Sequence, residues 1–179
     1  MQNKNIGLKI PASFRSPLFN PDKDSFHHLN VTDISQVLSE EPFYFDMLYN
    51  LKENIEYNPW ENPRDSVSII FEEWKRVRGK ARDSFKDLRG KSNISEERLL
   101  VHCVSLFIVC LYWLNKRPVP GLHTSNMQLE QLKIKPVNCE ERLLFIISKP
   151  TQYHAYIQLE QLFNECEKMF AKAIVLKQI

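Results

Sequence analysis

Where this chain has a regular pattern of apolar and polar positions, the period is that of a helix, and one segment is apolar almost throughout. Within residues 95–114, SEERLLVHCVSLFIVCLYWL, the 16 positions from 99 to 114 are apolar apart from His102 and Ser105. Ser95, Glu96 and Glu97 supply a helix start. A helix apolar on nearly every face must be wrapped by other helices or lie in lipid. A membrane span takes about 20 mainly apolar residues, and this run falls short of that. Charged or polar residues flank it closely, with Arg98 before and Asn115, Lys116 and Arg117 after. His102 and Ser105 would be costly at membrane depth. The segment reads as the central helix of a packed core, with no membrane insertion expected.

Amphipathic helices surround it in the sequence. Tyr44, Met47, Leu48, Leu51 and Ile55 place a stripe on a helix over 42–55, preceded by a short helical turn at 33–38. Asn62 then suits a cap with Pro63 at the first helical position, where a missing N–H costs nothing. Val67, Ile70, Phe71, Trp74 and Val77 form one face of the helix that follows, expected to end near Arg89 and Gly90. Beyond the central helix, Arg117-Pro118-Val119-Pro120-Gly121 is a stiff extended connection, leading to a short helix at 126–132. Asn138 and Glu141 have the spacing of a capping box for a further helix, which carries Leu143, Leu144, Ile146 and Ile147 and stops at Pro150. Tyr156, Leu159, Phe163, Cys166, Phe170 and Ala173 give the last helix, about 151–177, a wide core-facing stripe.

These elements predict an all-α fold. It is a single-domain bundle of five or six helices around the central apolar helix at about 95–115. Pro11, Pro17 and Pro21 break up residues 1–38 into an irregular N-terminal arm, with Phe14, Leu18 and Phe19 available to dock it on a helical domain of residues 39–179.

Composition sharpens this picture in three ways. At 179 residues, 43% hydrophobic and 26% charged, the chain has enough apolar surface for one sizeable core. Only four glycines occur, too few for the turns of β-rich folds or for the phosphate cradles of nucleotide-binding α/β folds. The opening residues MQNKNIGLKI lack an apolar stretch of signal-peptide length, so a cytoplasmic protein is expected. Cys103, Cys110, Cys139 and Cys166 would then be free thiols, and the sequons at Asn30 and Asn93 would go unused.

Chemical motifs are sparse. Gly90-Lys91-Ser92 has the ending of a phosphate-binding loop, but Phe85 stands where the motif needs its first glycine. Helical di-metal sites use Glu-x-x-His pairs, and the residues three before His102, His123 and His154 are Leu99, Pro120 and Thr151. His102 reads as a hydrogen-bonded core histidine. There is no Cys-x-x-Cys pair for zinc and no Gly-x-Ser-x-Gly or His-Glu-x-x-His. No catalytic residue, metal ligand or cofactor is assigned. The Tyr153-His154 pair near the start of the last helix is the polar-aromatic site to inspect for a pocket.

Charge is distributed unevenly. Lys75, Arg76, Arg78, Lys80, Arg82, Lys86, Arg89 and Lys91 stand within residues 74–91 against Asp83 and Asp87. These eight positive and two negative side chains make a local charge of +6, in a chain whose formal net charge is +2. With Trp74 and Phe85 interleaved, such a helix offers a surface for nucleic-acid phosphates or an acidic protein. A solvated charged face is the plainer reading.

Several short motifs resemble the YpoC-like domain family of low-GC Gram-positive bacteria. They are residues 11–19 (PASFRSPLF), Asn58-Pro59-Trp60, 111–115 (LYWLN), Pro118-Val119, Pro136-Val137-Asn138, Glu141-Arg142-Leu143, Pro150, Tyr153-His154 and Gln158-Leu159. The resemblance implies a cytosolic helical domain with no catalytic residues to carry over. The expectation is a non-enzymatic interaction or scaffold module with a protein partner. Its alternatives are a nucleic-acid-binding protein using the basic helix and an enzyme with an unrecognised site.

Overall fold

The computed structural model describes residues 7–29, 31, 33–87 and 94–179, leaving out the side chains of Lys86 and Asp87. The Gly90-Lys91-Ser92 stretch, the end of the basic helix and both sequon asparagines lie outside the described residues. In chain order the elements are β1 (Leu8–Lys9), β2 (Ser25–Phe26), α1 (Ile34–Glu40), α2 (Tyr44–Asn50), α3 (Pro63–Asp87), α4 (Ile94–Leu114), α5 (Cys139–Ser148) and α6 (Tyr153–Val175). The fold is an all-α bundle, with β1 and β2 forming a small antiparallel pair in which Leu8 faces Phe26.

α4 is the axis of the core. By length and composition it could cross a membrane, yet 72% of its most apolar window is buried inside the protein. Every side chain from Cys103 to Leu114 is buried. α3 and α6 cover much of it with Val67, Ile70, Phe71, Trp74, Leu159, Leu162 and Phe163. There the Trp74 ring stacks on Phe163 at 4.2 Å, nearly parallel, and Phe107 of α4 meets the same Phe163 edge-on at 5.2 Å. At the far end of α4, Trp113 takes Trp60 at 6.5 Å and Phe45 at 6.2 Å. Aromatic pairs in such offset or edge-on arrangements add about 0.5–1.5 kcal/mol beyond the area they bury.

Scarce glycine leaves a mark on the helix ends. α2 stops at Asn50, several residues short of the expected 42–55 helix. Lys52 turns left-handed (φ 59°) and the Glu53 N–H reaches back to the Leu48 carbonyl at 3.0 Å. α4 and α6 end the same way. Lys116 (φ 57°) and Lys177 (φ 55°) take the left-handed position, and the next N–H bonds to Tyr112 O and Ala173 O respectively. That position favours glycine, and a side chain there costs about 1 kcal/mol.

Two other local expectations change. Asn138 is left-handed (φ 53°) and its side chain makes no capping bond, so the capping box with Glu141 does not form. A capping side chain needs extended backbone to reach the next N–H groups. The short helix at 126–132 is instead two 3-10 turns, Thr124–Asn126 and Leu129–Gln131, separated by Gln128 at φ 42°. The Met127 carbonyl, which a continuous helix would use, accepts the Tyr112 hydroxyl.

The N-terminal arm is less irregular than its prolines suggest. Ile10, Phe14 and Phe26 are buried, and Phe19 packs edge-on against Phe43 at 5.7 Å. Ser13 O accepts the Leu122 N–H at 2.7 Å, and a Cβ on Gly121 would lie 2.7 Å from that same oxygen. Gly121 is therefore the residue that lets the arm approach the connection after α4. Gly121→Ala should lower stability by about 2 kcal/mol or more and expose residues 7–29 to protease. Urea unfolding and limited proteolysis check both effects.

Candidate functional site

One candidate is an open groove between α5 and α6. Asn138, Glu141, Arg142 and Phe145 face it from α5 and its lead-in, and His154, Ile157 and Gln158 from α6; together they enclose about 550 Å³. Arg142 forms a fixed floor. Its guanidinium donates to Gln158 Oε1 at 2.9 Å, Glu165 Oε1 at 2.9 Å and the Val137 carbonyl at 3.3 Å. Phe145 and Ile157 supply apolar wall, and Phe145 is 37% exposed although it is a large aromatic. Leu144 and Val137 are exposed nearby on the same helix and its lead-in. The rings of the expected Tyr153-His154 pair lie 6.2 Å apart, tilted against each other, but only one of them reaches the groove. His154 lines this groove, whereas Tyr153 packs edge-on against Phe85 at 5.6 Å and remains half-exposed.

The basic helix is in part neutralised within the fold. Lys75 pairs with Glu72 at 3.2 Å and with Glu167 of α6 at 3.1 Å. Arg76 grips Glu73 with two hydrogen bonds of 2.8 and 2.6 Å, and Arg82 pairs with Glu160 of α6. Arg78 and Lys80 are exposed. Arg89, Lys91 and the Lys86 side chain lie outside the described residues. Two of these pairs bridge α3 to α6, although exposed pairs of this kind contribute at most about 1 kcal/mol.

His102 is not wholly in the core. Its Nε2 lies 3.8 Å from Glu73 Oε1, a carboxylate that is itself buried, and its ring borders a cleft of about 660 Å³ between α4, the 17–23 turn of the arm and residues 40–43. Burial lowers the imidazole pKa, and the Glu73 charge offsets this only in part, so His102 is neutral near pH 7. Desolvation pushes the Cys103 and Cys139 thiols up to about 12 and holds Cys110 and Cys166 well above the ordinary thiol range. All four are buried free thiols, and none offers a thiolate for chemistry at neutral pH. No group of three or more His, Cys, Asp or Glu side chains suited to a metal ion gathers among the described residues.

Sequence reasoning did not single out Asp46, which is the most perturbed carboxyl. It is fully buried on α2. Its Oδ1 accepts the Trp113 indole N–H at 3.2 Å and the Val119 N–H at 2.6 Å, and its Oδ2 has no partner. The one signal in sequence is its place between buried Phe45 and Met47 in an otherwise apolar stripe. Desolvation raises its pKa from 3.8 to about 7. A buried carboxyl that loses its proton without a cation beside it destabilises the fold.

The architecture is that of a helical bundle built on one all-round apolar helix, with an open groove between α5 and α6. The chain belongs to the YpoC-like protein family, whose model matches residues 64–178. A relative is the uncharacterized protein YpoC of Bacillus subtilis (strain 168), 33% identical over 141 residues, covering 79% of this chain and 82% of that protein. No solved structure matches. The family match covers α4, α5, α6 and all but the first residue of α3, and so takes in the groove.

Asp46 carries a prediction with a definite sign. Below pH 4 it is protonated in folded and unfolded chains alike and costs nothing extra. As pH rises from about 4 to 7 the unfolded chain ionises first, and stability falls by an amount of order 4 kcal/mol before levelling off. Asp46→Asn keeps the acceptor for Trp113 and Val119 and cannot ionise. It should match the parent near pH 4 and be more stable at pH 8, as read from denaturant midpoints at both pH values.

Proposed function

We propose that the protein is a non-enzymatic helical interaction module of the cytoplasm, and that it holds a peptide segment with an apolar face in the groove between α5 and α6. The observation that carries this reading is the coincidence of exposed apolar side chains with a preformed cleft. Phe145 and Ile157 wall the groove, Phe145 is exposed there, and Arg142 is already locked by three acceptors. A groove that needs no rearrangement loses little affinity to ordering, which is how an amphipathic segment gains purchase on a helical surface. Asn138, Glu141 and His154 give the rim polar groups that set orientation.

A photo-crosslinking amino acid placed at position 145, with the same probe at exposed position 72 as control, tests this in living cells. The expected result is one discrete protein adduct at 145 that is absent at 72. It should be lost on Leu144→Glu while the melting temperature stays within a few degrees. The same adducts at both positions, or none at 145, would sink the reading.

A further inference from the structure

The cations of the basic helix are partly spoken for, but a second group of cations, scattered in sequence, is not. Lys116 and Arg117 follow α4 and Lys133 follows the second 3-10 turn, and all three line one cleft of about 740 Å³. Asn115 builds it. Its Nδ2 donates to Leu111 O at 2.8 Å and Ile134 O at 2.7 Å, and its Oδ1 accepts the Ile134 N–H at 2.8 Å. That clasp holds the 129–134 stretch against the end of α4. Gln178 and Ile179, just past the end of α6, close the cleft from the other side.

No acidic side chain lines this space. Among the described residues no Asp or Glu side chain pairs with Lys116, Arg117 or Lys133. The two other clefts each include at least one glutamate. A cation beside a helix C-terminus is ordinarily explained as a partner for the last carbonyls, but here the carbonyls of residues 111–113 and 172–174 already have partners. Leu111 O accepts Asn115 Nδ2, Tyr112 O accepts the Arg117 N–H and Trp113 O accepts the Lys116 N–H. At α6, Ala173 O and Ile174 O accept the N–H groups of Gln178 and Lys177. Three like charges gathered at a concave site, each without a counter-ion, favour a bound anion.

The remaining lining refines the chemistry. Gln131 and Gln178 offer carboxamides, and the partly exposed Ile134 and Ile179 form an apolar wall. The volume lies within the range typical of small-molecule sites, roughly 300–1,000 Å³. We propose that this cleft binds a phosphate-bearing small molecule with a flat apolar part, of the nucleotide class. The phosphates sit on Lys116, Arg117 and Lys133, and the base lies against Ile134 and Ile179. The site is separate from the α5–α6 groove and does not depend on it.

Lys116 makes the test unusually clean. It occupies the left-handed position that glycine prefers, so Lys116→Gly removes the charge while relaxing the turn. Calorimetric titration of the full-length protein with ATP, GTP and pyrophosphate at low and high salt gives the readout. ATP or GTP should bind saturably, raise the melting temperature, and weaken as salt rises. The Lys116→Gly/Arg117→Gln/Lys133→Gln variant should bind about tenfold more weakly or worse. Lys116→Gly alone should keep or raise the melting temperature, and the ion-paired control Lys75→Gln should bind as the parent does. No saturable binding of any probe at low salt, or binding that survives the folded triple variant, overturns the proposal. Pyrophosphate binding as tightly as ATP overturns the role given to the apolar wall.

Discussion

α4 has no polar face to turn toward water, so it can exist in an aqueous fold only if other segments cover its sides. Its stretch from Cys103 to Leu114 leaves no side chain exposed, and each neighbour is placed by that requirement. α3 and α6 run along it with their apolar stripes inward. The Pro59–Glu61 turn brings Trp60 to it, and α2 brings Phe45. Burial on this scale is what joins the helices into one core, and the short α1, α2 and α5 depend on it most, since isolated helices of their lengths are marginal in water.

Covering an apolar helix so completely has a cost, and it falls on Asp46. Trp113 must bury an indole N–H, and the connection after α4 must bury the Val119 N–H. One carboxylate oxygen serves both. The second oxygen is left without a partner in the same dry surroundings, which is why the carboxyl holds its proton far above the usual range. The same residue thus ties α2 to the end of α4 and makes the fold sensitive to pH. His102 shows a milder version at the other end of the helix, where Glu73 satisfies it only loosely.

Electrostatics in this protein follow spatial neighbours more than sequence runs. Residues 74–91 look like a basic surface when read in order, yet Glu167 and Glu160 reach across from α6 to Lys75 and Arg82. Lys116, Arg117 and Lys133 make no conspicuous run, and the folding of two helix ends around the Asn115 clasp gathers them. Glutamates this far along the chain cannot be matched to Lys75 and Arg82 by inspection, because helix packing decides which faces meet.

The sequence by itself determined the helical class, the central position of α4 and the start of α3 at Pro63, because apolar periodicity and proline act locally. It also located His154 in the segment that forms a groove wall. It did not reveal where α2 ends or that Asn138 would fail as a cap, since both depend on left-handed turns that lysine and asparagine adopt here in place of glycine. It did not reveal the 3-10 break at Gln128, because that turns on the Tyr112 hydroxyl taking a carbonyl from a neighbouring segment. That His154 but not Tyr153 lines the groove, the orphaned oxygen of Asp46 and the cation-lined cleft were decided only in three dimensions. Whether a polar group is costly, satisfied or available depends on what lies within a few ångströms of it, and the order of residues leaves that open.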